Sequence, residues 1–238
     1  MDKIQLFCLP YAGGSAVVYR EWTKYLHDSI ELNAIELAGR STRFKVPFYE
    51  SFNEAISDIY NRISEKLDGR PYAILGHSMG SALAFELAHK LKNLHHAAPL
   101  HMFFSGRCPP QKPRDKNNIH LLPDKEFIKK IMEMGGTPKE LLQDKELLEL
   151  FTPILRADFK LIETYKYIEK NEKLDSDITI LWGKQEENAT VHDLYEWENH
   201  TTKKCKIKLF NGGHFFIHEC ISDVVNIVNS QLLHSGCK

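Results

Sequence analysis

Residues 74–82 read Ile74-Leu75-Gly76-His77-Ser78-Met79-Gly80-Ser81-Ala82, and the fold turns on how this stretch is understood. An apolar run ends in it and a helix-forming run begins, with a single serine held between two glycines. Gly76-His77-Ser78-Met79-Gly80 matches G-x-S-x-G, a strand-to-helix turn that forces its serine into a strained backbone conformation. Positions two before and two after that serine must be small, which accounts for Gly76 and Gly80. The helix that follows aims its free N–H groups at the same spot, where negative charge can be received. The turn is thus built to present a hydroxyl.

Working outward, short apolar runs alternate with longer amphipathic ones. Strands are expected over residues 4–9, 32–37, 72–75, 100–104, 178–182 and 205–210. Helices are expected over 16–26 (Val18, Trp22 and Tyr25 at helical spacing), 52–67, 81–91, 191–199 and 221–233. Such alternation implies an α/β fold with a mostly parallel central sheet and helices on both faces. The pattern breaks between about residues 107 and 170. There the loop CPPQKPR (108–114) leads to helical pieces over 124–134, 138–150 and 153–167, with no strand. The chain is read as one domain, 1–238, with residues 107–170 a helical lid insertion over the C-terminal edge of the sheet.

Bulk properties narrow the function. A formal net charge of -1 argues against general binding to nucleic acid or to an anionic membrane. No apolar run approaches the ~18 residues of a membrane span. The five cysteines show no C-x-x-C spacing, and their odd number argues against a closed disulfide framework. Without an export signal, a reducing cytoplasm is the expected compartment. Nothing demands more than a monomer.

A serine nucleophile needs a base and an acid. Among 12 histidines, His214 stands out, following the last strand in Phe210-Asn211-Gly212-Gly213-His214, where two glycines can turn the imidazole back over the sheet. His77 would point away from its neighbour Ser78 and reads as a packing residue, and His218 as a decoy. Where a G-x-S-x-G turn carries a triad, the chain order is serine, acid, histidine. The loop after the next-to-last strand, Trp182-Gly183-Lys184-Gln185-Glu186-Glu187-Asn188, holds no aspartate, so the acid is Glu186, Glu187 or, further on, Asp193. The second oxyanion donor belongs in Leu9-Pro10-Tyr11-Ala12-Gly13-Gly14-Ser15. That loop carries neither G-x-G-x-x-G nor G-x-x-x-x-G-K-[ST], which weighs against a nucleotide site.

Several segments in order resemble one family. LPYAGGSA (9–16), IELAGRSTRF (35–44, with Ala38 where the family has proline), GHSMG (76–80), FFSGRCPP (103–110), MGGTPKELL (134–142), PILRADFKLIETY (153–165) and NGGHFFIHE (211–219) are similar to the type II thioesterases. These are stand-alone α/β-hydrolases of nonribosomal peptide and polyketide synthesis. The resemblance implies Ser78 as nucleophile, His214 as base, and the amides of Ala12 and Met79 as oxyanion hole. It implies Glu186 as acid, at the family's aspartate position three residues after the strand-ending Gly183, with Trp197 supporting the register. It further implies hydrolysis of acyl or aminoacyl thioesters on the phosphopantetheine arms of acyl or peptidyl carrier proteins. No metal or cofactor is then needed, because the pantetheine belongs to the substrate. Arg40 and Arg43 would either approach the acidic carrier or pair with a carboxylate. Met132, Met134, Phe151 and Phe159 are candidates to line the acyl pocket. Two alternatives share the motifs: a carboxylesterase or lipase of free esters, and a weakly catalytic carrier-binding protein.

Overall fold

A computed structural model describes residues 3–112, 118–135 and 144–235 of the chain. The sheet comprises β1 (Ile4–Leu9), β2 (Ile30–Ala34), β3 (Tyr72–His77), β4 (His101–Ser105), β5 (Asp177–Gly183) and β6 (Cys205–Phe210). Their order is β2-β1-β3-β4-β5-β6, and every pairing is parallel. β1, β3 and β4 are buried throughout, as strands covered on both faces must be, while the edge strand β6 is mostly half-exposed.

Alternate residues feed two cores. Phe7, Leu9, Ile74, Met102 and Phe104 face α1 (Phe52–Ser64) and α2 (Met79–Asn93). Leu6, Cys8, Ala73, Leu75 and Phe103 face the 3-10 helix Ala16–Lys24 and the C-terminal helix Ile221–Ser235. α2 is buried nearly all round, and Gly80, Ser81, Ala82, Ala84 and Ala88 let it lie close to the sheet. The strand order reverses between β1 and β3. A crevice for a ligand therefore opens beyond their carboxyl ends.

Between β4 and β5 the described residues form helices and no strand: a 3-10 turn at Ile119–Leu121, α3 (Asp124–Met134) and α4 (Lys145–Thr164). Ile119, Phe127, Ile131 and Leu155 close a small apolar cluster of their own, while Leu161 and Ile162 of α4 join the main core. α4 lies over the end of β1, where a Cβ added at Gly13 would come within 2.3 Å of Leu155 Cδ2.

Four expectations about elements need correcting. The strand placed at 32–37 runs from Ile30 to Ala34; Ile35, Leu37 and Ala38 are buried because they join the main core shared with α1 and α2, not because the chain stays in the sheet. The helix at 16–26 is a 3-10 helix over Ala16–Lys24, so Tyr19 and Trp22, three apart, face inward, while Tyr25 lies past its end and is exposed. Pro153 does not end a helix but lies inside α4, on an exposed turn where water can serve the carbonyl left free by its missing N–H. The helix at 191–199 splits into α5 (Val191–Tyr195) and a 3-10 turn, Glu196–His200. Parts of the expected loop 108–114 and helix 138–150, and Cys237, lie outside the described residues.

Candidate active site

The serine turn has the strain its sequence requires. Ser78 takes φ 53° and ψ -112°, a backbone conformation that side chains other than hydrogen disfavour. A Cβ on Gly76 would lie 2.0 Å from the Gly80 carbonyl oxygen, and one on Gly80 would lie 2.1 Å from the Leu9 oxygen. No larger residue fits either place. The turn is held in position by Ser81, whose Oγ lies 2.6 Å from the Gly76 oxygen and 2.9 Å from the Ser105 oxygen, and by a 2.8 Å bond from Ser78 N–H to Ser105 O.

His214 and Glu186 arrive on the loops after β6 and β5. These loops are stitched together by backbone: Lys184 N–H donates to Phe210 O at 2.9 Å and Gln185 N–H to Gly212 O at 3.0 Å. They touch so closely that a Cβ on Gly183 would stand 2.3 Å from the Gly213 oxygen. The crossing brings His214 Nδ1 to 2.5 Å from Glu186 Oε2, with the Glu186 side chain only 3% exposed. A carboxylate there draws the ring proton to Nδ1 and leaves Nε2 as the basic face. Asn188 Nδ2 donates to the other carboxylate oxygen, Glu186 Oε1.

Of the three candidate acids, then, Glu186 alone contacts the imidazole. Asp193 instead closes a capping box with Thr190 and pairs with Lys112 at 2.9 Å, and Glu187 is exposed. His214 lies beside the serine turn: a Cβ on Gly106 would fall 2.8 Å from His77 Cε1 and 3.3 Å from His214 Cε1, and the adjacent Ser105 oxygen accepts from Ser78 N–H. The Ser78 hydroxyl has no hydrogen-bond partner among the described residues. Nucleophile–base contacts commonly tighten only when substrate is bound.

The loop after β1 completes this end of the sheet. Neither Ala12 N–H nor Met79 N–H has a partner among the described residues. Their neighbours are engaged: Gly13 N–H donates to Asp158 Oδ2 at 2.7 Å, Gly14 N–H to Tyr11 O at 2.9 Å, and Ala16 N–H to Glu36 Oε1 at 3.3 Å.

His77 is a packing residue, as expected. It is buried, its Nδ1 lies 2.8 Å from Ser105 Oγ, and its ring centroid is 5.1 Å from that of His214. Burial, then the nearby His214 and His218, hold its pKa well below the usual histidine value. His218 bonds Tyr11 Oη at 3.0 Å, away from the acid. Trp197 stacks on Phe104 at 4.2 Å.

Both arginines pair with carboxylates. Arg40 is 3% exposed and grips Asp158 through two 2.6 Å bonds, and Arg43 holds Asp58 through two of 2.7 Å. Of the supposed pocket residues, Met132 and Met134 are largely exposed and Phe159 packs edge-on to Phe127 within the insertion. Phe151 is half-exposed on α4. The sequence reading missed two contributors. Asn188 carried no motif signal, and Asp158 lay in a segment recognised only for its family likeness.

Comparison with known proteins places this geometry among relatives. The family model described as thioesterase domain matches residues 4–232. Linear gramicidin dehydrogenase LgrE of Brevibacillus parabrevis is 39% identical over 97% of this chain and 88% of its own length. The crystal structure of ClbQ from the colibactin NRPS/PKS pathway is 36% identical, superposes with a TM-score of 0.95, and covers 99% of each chain. The type II thioesterase BorB from the borrelidin biosynthetic cluster is 30% identical with a TM-score of 0.87, covering 97% of this chain and 93% of its own.

Proposed function

The chain belongs to the thioesterase family, with the α/β-hydrolase fold, and from that premise we propose that it is a type II thioesterase that clears acyl or aminoacyl groups from carrier proteins of nonribosomal peptide or polyketide synthesis. The observation that carries the catalytic assignment is the 2.5 Å contact between His214 and Glu186 beside the strained serine turn. Ser78 Oγ attacks the thioester carbon while His214 Nε2 takes its proton. The oxygen, now negative, is received by the N–H groups of Ala12 and Met79. The carbon–sulfur bond breaks, and the imidazolium returns a proton to the departing pantetheine thiol. Water then loses a proton to His214 and attacks the acyl-serine; the carbon–Oγ bond breaks, the imidazolium returns that proton to Ser78 Oγ, and the acid leaves. Glu186, facing the ring at 2.5 Å, steadies the imidazolium.

Residues 107–170 serve as the lid: α4 overlies the end of β1 and the tip of α3 reaches the histidine loop, since a Cβ on Gly135 would be 4.0 Å from Phe215. The likeness to ClbQ of an NRPS/PKS pathway and to the type II thioesterase BorB supports a carrier thioester over a free ester.

One relative is named as a dehydrogenase, and a nicotinamide reaction would need a dinucleotide site. Here the amides of Gly13 and Ala16, where a pyrophosphate would sit, already donate to the carboxylates of Asp158 and Glu36. Those anions oppose a phosphate in the same place. Hydrolysis remains the reading.

The test is thiol release from an acylated carrier protein against turnover of a matching soluble ester, with fluorophosphonate labelling of wild type and Ser78→Ala. Preference for the carrier substrate, and labelling lost in Ser78→Ala, are expected. Equal turnover of carrier thioester and free ester would defeat the carrier assignment, and undiminished labelling of Ser78→Ala would defeat the nucleophile.

A further inference from the structure

The insertion contributes one charged side chain to the interior of the site loop. Asp158 on α4 is 1% exposed and Arg40, on the loop after β2, is 3% exposed. A buried ion pair is a poor source of net stability, because removing two charges from water costs about what their attraction returns. What such a pair does supply is direction. Asp158 Oδ2 accepts from Gly13 N–H at 2.7 Å and from Arg40 Nη1 at 2.6 Å, and the same Nη1 lies 2.9 Å from the Gly14 oxygen.

These bonds fix consecutive peptide planes. Gly14 N–H donates to Tyr11 O, closing a turn in which Gly13 has φ 79°. That is the value for the third residue of a type II turn, whose central peptide can rotate to give a type I turn. The central peptide here joins Ala12 to Gly13, and its N–H is the one that Asp158 holds. The preceding peptide is planar and trans, so a Tyr11 carbonyl directed at Gly14 leaves the Ala12 N–H directed the opposite way. The turn itself thus sets the direction of the Ala12 N–H, while Asp158 on Gly13 N–H and Arg40 on the Gly14 oxygen seat that turn against α4; the carboxylate lies 145 positions along the chain from the glycine it binds.

We propose that Asp158, oriented by Arg40, is a positioning residue for the oxyanion loop, so that the insertion helix and the oxyanion hole are assembled together. The inference rests on the reading of Ala12 as an oxyanion donor in a serine thioesterase. Displacement of α4 would unseat the turn at Gly13 and Gly14, moving the Ala12 N–H it carries out of line with the oxyanion, while leaving Ser78, His214 and Glu186 in place.

Asp158→Asn keeps the size of the side chain but sets an N–H₂ against either Arg40 or Gly13. Its kcat on an acylated carrier, normalised to active sites titrated with a fluorophosphonate, is expected to fall about 10- to 100-fold with KM within about threefold. Affinity for an arylboronic acid, which forms a tetrahedral adduct on the serine, should fall by the same factor. Arg40→Lys, which retains charge but not the fork, should move both in the same direction by less. A merely structural role lowers the melting temperature and leaves per-site kcat and boronate affinity at wild-type values; that result overturns the proposal.

Should both variants fail to fold, amide hydrogen exchange of the wild-type protein decides. Protection of Gly13 N–H supports the clamp, and exchange at the rate of an open loop overturns it. Absence of activity and labelling in the wild type would instead defeat the thioesterase reading itself, so the two failures are told apart.

Discussion

Replacing Glu186 by glutamine isolates the acid from every other part of the site. The side chain keeps its volume, and the loop keeps the backbone bonds that join it to Phe210 and Gly212. The contact with His214 Nδ1 is 2.5 Å and almost wholly shielded from water, so no solvent molecule can take over the carboxylate's part. Glutamine can present its N–H₂ to the ring, which places the ring proton on Nε2 and removes the base from Ser78. Loss of a triad acid in this way costs about 10³- to 10⁴-fold in kcat, or about 4–5.5 kcal/mol of transition-state stabilisation. Glu186→Asp tests reach: the carboxylate retreats by about 1.5 Å, one carbon–carbon bond, so the contact opens to about 4 Å and leaves hydrogen-bond range. An intermediate loss of about 10- to 100-fold is expected there. Glu187→Gln, at an exposed position, should stay within about twofold of wild type. The assay is thiol release from an acylated carrier, per titrated active site. If Glu186→Gln kept more than about a tenth of wild-type turnover, or if Glu187→Gln matched its loss, the assignment would be wrong.

Asn188→Ala frees one oxygen of Glu186 and should lower kcat by about 3- to 10-fold without affecting KM, measured in the same assay. Gly80→Ala drives a methyl group to 2.1 Å from the Leu9 carbonyl; overpacking of about 1–3 kcal/mol should lower the melting temperature by about 5–10 °C and cut per-site turnover as the β1 loop is pushed away. His101, buried and bonded to Thr179 Oγ1 at 2.8 Å, has its pKa lowered by burial to about 4. The unfolded chain binds a proton near pH 6.5 that the folded one refuses, so stability is full above that pH and falls as pH drops toward 4, by about 2 kcal/mol from this residue at pH 5. Urea unfolding at pH 7.5 and pH 5 should show that fall, and His101→Gln should shrink the difference; an unchanged difference would remove His101 as its source.

Much of this arrangement is legible in the chain. Gly76 and Gly80 announce the serine turn because a Cβ at either would collide with backbone, and such collisions leave no alternative residue. β6 and α3 fall where apolar periodicity puts them, each bounded by a clear change of pattern. β2 is displaced because Ile35 and Leu37 are apolar for packing in the main core beyond the strand's end, and hydrophobicity alone does not separate that from pairing. Pro153 misleads because its penalty depends on which side of a helix it occupies. The acid was narrowed to Glu186, Glu187 or Asp193 by spacing, but the choice needed the crossing of two loops, a relation between residues 28 apart. A carboxylate partner for Arg40 is one expectation from the sequence, but that it is Asp158, 118 positions away, leaves no local trace.

The φ of 53° at Ser78 sets reactivity against durability. A residue in such a conformation stores about 1–3 kcal/mol, and the surrounding helix and strands must hold it there. A glycine in its place would relax the turn and yield an inert protein able to survive more heat. Natural selection for chemistry has thus kept the fold slightly below the robustness its own packing would permit.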